Sequence, residues 1–516
     1  MTTDTATRAP TSAVYVLGLI AGLQMADPTI VNVILVQAGR ELSFTPAQAA
    51  LAASISTLAL AATVLASGLV ADRIGRRRLL VAAMVLAAVG DIIAACTPVT
   101  LGFLIGRALA GIGLGAALAA CFAYVRYVSP EEKVGENLGL WNAVMLVVML
   151  VGTLFGGALA TVSWRAALLL VPVAVLLLLL PTMKVLPPMP RVKQGRVDYL
   201  GLITVGASTV LFLYGVSQAA KSLTAPDFLI PTALGILGFA LFAIIELKVS
   251  SPVFPIKLFL KGIFLAAVLA GIVWNFGQAV FQLASSNWWQ WVSGSSTLQV
   301  SLLQLPFMIV IIVVSVLVGR MLSARPQSLQ PLLMGGYALM VLGFLASAVA
   351  TVDGEYWWII PGSLVLGIGL VMVAVPQSLM FVAVAPARFF GAVTSFRTTV
   401  GQIGFALGLS GSVVLIQVFS NIPDMSTRLL DAGVPANRVG RGIDKVQEYY
   451  SGEEPTGDLA DVAIEQAQRA YSHGFDMTMV ISAIFIALLG VLTWLALRRH
   501  RKQLTPGRPQ TEDAIS

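Results

Sequence analysis

Charge is scarce in this chain. Only 11% of its 516 residues are Asp, Glu, Lys or Arg, against roughly 25% in soluble domains, which excludes a water-soluble globular fold for most of its length. Cysteine and histidine are scarcer still. His473 and His500 stand apart in polar segments, and no Cys, His, Asp and Glu group has metal-ligand spacing, so no metal site is expected. A G-x-x-x-x-G-K phosphate loop is absent as well, which removes ATP hydrolysis. No cofactor is implied, and the chain is not expected to be an enzyme. Cys96 and Cys121 both fall in apolar runs, at depths about 30 Å apart if the two runs are antiparallel, too far for a disulfide. The stretch from Met1 to Ser12 has no signal-cleavage site, so the first apolar run is expected to stay attached as a helix.

What the chain has is apolar residues, 57% of the total. They fall into runs of about 20 residues, each long enough to span a bilayer. The runs begin near Ala13, Pro46, Leu79, Leu101, Leu138, Ala166, Tyr199, Leu229, Ile263, Leu298, Leu332, Trp357, Phe390 and Phe475. An all-α polytopic membrane protein of fourteen spans follows, because a helix satisfies its own backbone in lipid. The net charge of +7 does not point to nucleic acid, since its arginines and lysines sit in short loops. With the N-terminus inside, the inner segments hold Arg8, the Arg73 to Arg78 cluster, Arg126, Lys133, Lys184, Arg191, Lys248, Arg320, Arg388 and the Arg498 to Arg508 tail. The short outer loops keep only Arg40, Arg165 and Lys221. That asymmetry predicts a protein of the cell membrane with both termini cytoplasmic.

The segment from about Asn421 to Tyr471 breaks the pattern, being long, polar and of mixed charge. Long loops translocate whatever their charge, so it is expected outside. Leu459, Val462, Ala463, Ala467 and Ala470 recur at helical spacing and predict a short amphipathic external helix over Leu459 to Tyr471. An inner stretch with Pro187, Pro188 and Pro190 looks like a linker.

Between the second and third runs stands Gly68-Leu69-Val70-Ala71-Asp72-Arg73-Ile74-Gly75-Arg76-Arg77-Arg78. This stretch resembles the signature loop of the major facilitator superfamily, G-x-L-a-D-r-x-G-r-k, at Gly68, Asp72, Arg73, Gly75, Arg76 and Arg77. The resemblance implies the major facilitator fold, working by alternating access: residues 1–186 as an N-terminal six-helix bundle, 187–261 as a linker plus two inserted helices, 262–497 as a C-terminal six-helix bundle with a long external loop at about 420–473, and 498–516 as a basic cytoplasmic tail. It also implies that these residues form a gating latch. A partial echo, Gly319-Arg320-Met321-Leu322-Ser323-Ala324-Arg325, keeps the glycine and basic residues and loses the aspartate, as a duplicated half would.

The first span contains Gln24-Met25-Ala26-Asp27-Pro28-Thr29-Ile30-Val31-Asn32-Val33, which resembles the L-D-x-T-I-V-N-V-A-L-P pattern of the fourteen-helix drug:proton antiporter branch. A carboxylate this deep costs about 2.5–3.5 kcal/mol on insertion scales and calls for a cavity or a partner. Burial in low dielectric favours the protonated form of an acid, as a reversible proton carrier requires. Pro28 frees the carbonyl of Gln24. Asp91 and Arg107 lie at matching depth, and Arg107 opens a stretch resembling the superfamily's R-x-x-x-G-x-G pattern, where the arginine is associated with proton transfer. Asp27 and Arg107 are therefore read as a proton switch with Asp91 competing for the arginine. The alternative is a static buried pair that only fixes packing.

In the fifth span the branch shows G-x-x-x-G-P-x-x-G-G; here Gly152, Gly156 and Gly157 match, while Val148 and Thr153 replace the first glycine and the proline. The glycines are expected to pack helices closely. Ser163-Trp164-Arg165 resembles the branch's S-W-R turn and is expected to anchor at the interface; Trp288, Trp289 and Trp291 are expected to form an interfacial belt, the alternative being a ligand cage. Asn275, Gln278 and Gln282 form one polar stripe on span nine and are expected to line the substrate cavity with Gln24, Met145 and Met149, or else to join helices. Arg397 in span thirteen is placed to reach Asp72 across the halves and latch the cytoplasmic gate; the alternative is snorkelling to the interface.

The function implied is secondary export of hydrophobic or amphipathic compounds in exchange for protons, with few cavity acids to favour dications. Two rivals remain: a dedicated exporter of an endogenous lipid, siderophore or metabolite, and a non-transporting scaffold or receptor. The partners implied are an amphipathic small molecule, protons and the lipid bilayer; no oligomer is implied.

Overall fold

The computed structural model describes residues 11–44, 46–188, 198–219, 222–249, 254, 256–295, 297–349, 357–384, 390–420, 425–451 and 455–498. Among these residues there are helices and no strands. The first six long helices are α1 Ser12–Glu41, α2 Pro46–Ile74, α3 Arg76–Cys96, α4 Thr100–Val128, α5 Val134–Ala160 and α6 Trp164–Val185. A pair follows, α7 Tyr199–Gln218 and α8 Pro226–Lys248. Then come α9 Gly262–Trp291, α10 Thr297–Ala324, α11 Leu329–Ser347, α12 Ile359–Val384 and α13 Phe390–Phe419. Two short helices, α14 Met425–Asp431 and α15 Val439–Ser451, precede the last, α16 Ala460–Arg498. Thirteen helices are long and apolar enough to cross a membrane among the described residues. The fourteenth long helix, α2, has 29 residues, with a shorter apolar stretch at Leu51–Val64.

Helices α1 to α6 pack on one another, as do α9 to α13 with α16; α7 and α8 pair, and α7 leans on α2 and α13. Gly75 makes the turn between α2 and α3 at φ 95°, a backbone region that a Cβ disfavours. It marks the basic end of the molecule, where Arg77 donates from Nη1 to the carbonyls of Met183 and Leu186 at the end of α6. Gly68 and Arg76 are buried there. The side chains of Asp72 and Arg73 lie outside the described residues.

The last span differs from expectation. The helix expected to stop at Tyr471 runs on unbroken into the membrane span, giving 39 residues, about 58 Å. No proline interrupts it, and Gly474 packs closely against the Ile416 carbonyl and Ser420 of α13. The external segment is also more than a loop with one helix: Met425, Leu429, Val446, Ala463, Ala467 and Ala470 are fully buried in a core of their own. It docks on the bundle through Tyr449, whose hydroxyl donates to the Trp291 carbonyl and whose ring meets Trp291 edge-on at 5.7 Å.

Trp288, Trp289 and Trp164 are not interfacial anchors. Trp288 and Trp289 are 2% and 1% exposed, and Trp288 donates to the Ser472 hydroxyl of α16. Trp164 is likewise buried, donating from Nε1 to Glu41 at 2.6 Å. Arg165 stacks over Trp164 and bonds the same carboxylate and the Thr97 carbonyl. These indoles found intramolecular acceptors, and burying them beside an acceptor satisfies both the ring and its N–H.

Candidate proton and substrate site

Close contact of α3 with α4 builds the ion cluster. A Cβ on Gly90 would stand 2.4 Å from the Ala110 nitrogen and 2.6 Å from the Gly106 carbonyl, so only glycine lets the backbones touch. The residue after each glycine is charged: Asp91 on α3 and Arg107 on α4. The backbone contact therefore brings them together. From α1, Asp27 enters the same space. Arg107 donates from Nη1 to Asp27 Oδ1 at 2.9 Å and from Nη2 to Oδ2 at 2.6 Å, and Nη1 also reaches Asp91 Oδ1. All three side chains are at most 1% exposed.

Burying ions costs several kcal/mol apiece, which paired geometry and complete hydrogen bonding must offset. The Arg107–Asp27 contact meets that demand with two parallel bonds. The rest of the cluster does not, for Asp91 Oδ2 and Arg107 Nε have no hydrogen-bond partner among the described residues. Two carboxylates share one guanidinium, so with both ionised the cluster is one proton short of neutrality. One turn toward the basic end, Gln24 is 4% exposed, and neither its Oε1 nor its Nε2 has a partner among the described residues. Pro28 adds to the deficit by removing the N–H that would serve the Gln24 carbonyl. A 280 Å³ apolar groove between α1, α5 and α6 lies on the other face of α1; Ala26 and Ile30 line it, while Asp27 turns away.

The α5 glycines divide. Cβ atoms on Gly152 and Gly156 would press on Ala26 and Ile30 of α1 at 2.9 and 2.5 Å, whereas one on Gly157 would meet nothing within 4 Å. Gly157 is therefore not a packing residue, because it lies about 100° round the helix from Gly156. Thr153, where the proline was expected, meets the Thr29 hydroxyl at 2.8 Å. Met149 is half-buried, whereas Met145 is buried beside the α1 contact rather than open to a cavity.

On α9 the polar stripe faces protein rather than lipid. Asn275 donates to its own Gly271 carbonyl and stands against Gly401 of α13, and the Gln282 carbonyl accepts from Gln304 of α10 at 3.3 Å. Asn275, Gln278 and Gln282 are all half-buried. Arg397 donates from Nε and Nη2 to Ser378 Oγ, and its guanidinium lies 4.3 Å over Phe122 of α4. It thus bridges the two bundles through an aromatic face; the expected partner, Asp72, has its side chain outside the described residues.

A second contact between bundles was not expected. Gly135 and Gly139 of α5 meet Gly319 and Ser315 of α10 at backbone distance. Asn142 donates to Ser315 Oγ, the Glu136 N–H donates to Ser323 Oγ, and Arg320 approaches the Glu136 carboxylate at 3.7 Å. The Gly135-x-x-x-Gly139 spacing is the small-residue signal that could have found it.

Two helical bundles meet through α5 with α10 and through α2 and α4 with α13, and a buried ion cluster lies in the first, the frame of a multi-pass membrane protein. Residues 17–409 match the Major Facilitator Superfamily model, and the chain belongs to that superfamily. It is 24% identical over 507 residues to the multidrug efflux pump LfrA of Mycolicibacterium smegmatis, covering 96% of this chain and 99% of that one. It is 24% identical over 458 residues to the methyl viologen resistance protein SmvA of Salmonella typhimurium, covering 87% and 90%. Among solved structures, the human organic anion transporter MFSD10 superposes with a TM-score of 0.58 at 14% identity, covering 95% of this chain and 100% of that one.

Proposed function

We propose that this transporter exports hydrophobic or amphipathic small molecules in exchange for protons, with its basic end and both termini at the cytoplasmic face of the cell membrane. The observation that carries the reading is the Asp27–Arg107–Asp91 cluster, two acids on one guanidinium in the membrane interior. A proton on Asp27 removes its attraction for Arg107, which Asp91 retains; loss of that proton restores the two-bond grip. Asp27 sits on α1 and Arg107 on α4, so each exchange of the proton alters how these helices hold each other. The contacts of α5 with α10 and of Arg397 with Phe122 close the basic end, which supports an outward-facing state with the cytoplasmic gate shut. The arginine-rich inner loops support the orientation.

The named activities of the two curated relatives, multidrug efflux and methyl viologen resistance, support an efflux role. Helices α9 to α13 contain no Asp or Glu, which favours neutral, amphipathic or partly anionic cargo over dications. Gln24, Met149, Asn275, Gln278 and Gln282 are its proposed contacts. One proton moving through 100 mV supplies about 2.3 kcal/mol and each pH unit about 1.4, enough for accumulation of roughly tens- to thousands-fold.

Proton movement in proteoliposomes tests this. The probes are methyl viologen, a lipophilic monocation, a neutral amphiphile and an anionic amphiphile. Wild type is expected to move protons with the neutral or anionic probes, and Asp27→Asn and Arg107→Ala to move none. Unchanged proton flux in both variants overturns the reading.

A further inference from the structure

Helix α1 is held from two sides at one level. Arg107 of α4 grips Asp27, and two residues on, Thr29 meets Thr153 of α5 with their hydroxyl oxygens 2.8 Å apart. Two residues turn a helix by about 200° and advance it about 3 Å, so the grips stand on nearly opposite faces of α1. Position 153 departs from the branch pattern, and the threonine there makes a contact that a proline side chain cannot.

The hydrogens in this contact are fewer than the places for them. Each hydroxyl carries one hydrogen. Thr29 Oγ1 lies 2.6 Å from the Ala26 carbonyl, Thr153 Oγ1 lies 2.8 Å from the Met149 carbonyl, and the two hydroxyls lie within bonding distance of each other. Two hydrogens therefore serve three contacts. With the clasp made, one hydroxyl donates to the other and the second to its own helix. With the clasp open, both donate to their own helices. No donor is bare in either state, so parting the helices avoids the roughly 1–3 kcal/mol that an unsatisfied buried group costs. A clasp of this kind holds weakly and releases cleanly.

We propose that the Thr29–Thr153 pair is the link by which release of Asp27 from Arg107 reaches the contact between the bundles. From Thr153, α5 runs back toward Asn142, Gly139 and Gly135, the residues that meet α10. While Asp27 is gripped, α1 is tied to α4 and α5 together. Once a proton frees Asp27, the threonine clasp, beside the Gly152 and Gly156 contacts and the Trp141 bond to the Leu17 carbonyl, keeps α1 in register with α5, and the two helices shift as a pair against α4. Both threonines are positioning residues: their described bonds go to each other and to backbone carbonyls, not to Asp27.

The inference rests on the proton-exchange reading, and the experiment separates the two. Thr29→Val, Thr153→Val, the double variant and Thr153→Ser are compared with wild type in proteoliposomes, with thermal midpoints measured in parallel. Each valine variant is expected to lower maximal probe-driven proton movement about fivefold, the worth of one modest hydrogen bond, at unchanged apparent probe affinity and thermal midpoint. Thr153→Ser is expected to retain the wild-type rate. The double variant is expected to lose about fivefold and not twenty-fivefold, because one link is cut. Wild-type rates in the valine variants, losses that multiply, or losses that track the thermal midpoint overturn the proposal.

A second readout needs no proton flux. Cysteines at Glu136 and Arg320, in a Cys96→Ser background, report the gate through a short bifunctional thiol reagent. Asp27→Asn is expected to lower cross-linking at least twofold, and Thr153→Val added to it to restore it. Equal cross-linking with and without the Thr153 hydroxyl overturns the link even where the wild type moves no protons, an outcome that by itself would overturn only the exchange reading.

Discussion

The two bundles share an architecture and differ in what they bury. The first places Asp27, Asp91 and Arg107 at no more than 1% exposure, while helices α9 to α13 of the second hold amides, hydroxyls and Arg397 but no acid. An ion cluster needs its helices held in fixed register, and the glycine contact of α3 with α4 holds two of the three. A stripe of amides needs less, since each can turn to its own helix, as Asn275 does. The difference puts the buried carboxylate–guanidinium cluster in the first half, and on the proposed reading leaves the second to wall the path and meet the gate.

Removing Arg107 is the harshest way to break that comparison. Arg107→Ala strands two carboxylates in the interior, a change worth about 3–5 kcal/mol where a buried pair loses one member, and is expected to give the largest drop in thermal midpoint and folded yield. Asp91→Asn is expected to be much milder, because Arg107 keeps both bonds to Asp27. In the other bundle Arg397→Ala forfeits a stacked contact of about 0.5–2 kcal/mol. If Arg397→Ala destabilises as much as Arg107→Ala in a detergent melt, the asymmetry between the halves is lost.

Next in size is the contact that joins the bundles. A Cβ on Gly139 would stand 2.3 Å from the Ser315 carbonyl, so Gly139→Val is expected to drive α5 and α10 apart at the basic end. Thiol labelling of a cysteine at Ser323 should rise severalfold. Gly157→Val, on the same helix but with nothing within 4 Å, should leave labelling unchanged. Equal labelling in both would mean that the glycines at the gate are not what holds it.

Much of this was legible in sequence, for reasons that explain what was not. Apolar runs gave the spans because length and composition decide insertion, and an intramembrane acid is so costly that Asp27, Asp91 and Arg107 announced one another by depth alone. Their bonding pattern was not legible, since it depends on which backbones touch. The indoles of Trp164 and Trp288 were misplaced because a sequence shows an amphipathic ring and not the Glu41 or Ser472 waiting for it. The external core formed by Met425, Leu429 and Val446 with Ala463 and Ala467 escaped because its apolar residues are spread thinly over two short helices and the start of a long one. Thr153 read as an eroded motif; only the structure shows that the substitution made a new bond.

A subtler comparison sets one amide against another. Gln24 is buried with neither side-chain atom bonded among the described residues, whereas Gln278 is half-buried on α9 of the second bundle. Gln24→Leu relieves an unsatisfied buried group and is expected to raise the thermal midpoint by a few degrees while lowering transport, the usual sign of a polar group kept for use. Gln278→Leu is expected to leave stability within about 0.5 kcal/mol and change only apparent probe affinity. A Gln24→Leu protein less stable than wild type would show that the amide is already satisfied.

The smallest effects lie at the far end, where each bundle has a clasp with its own pH limit. In the first, Glu41 holds Trp164 and Arg165. The Trp164 hydrogen bond, helped by Arg165, draws its carboxyl below the usual 4.5. A lowered acid stabilises above its unfolded value and stops doing so as pH falls through the folded one, so the advantage of wild type over Glu41→Gln should fade only below about pH 4.5. In the second, Tyr449 donates to the Trp291 carbonyl, and burial pushes its phenol above 10. A raised group stabilises below its unfolded value and loses that as pH rises, so the advantage of wild type over Tyr449→Phe should fade only above about pH 10. Melts of the three proteins across pH check both limits. Between them both clasps hold, so a Glu41→Gln difference that instead changed near pH 7 would show that the Glu41 carboxyl does not set the limit of the first clasp.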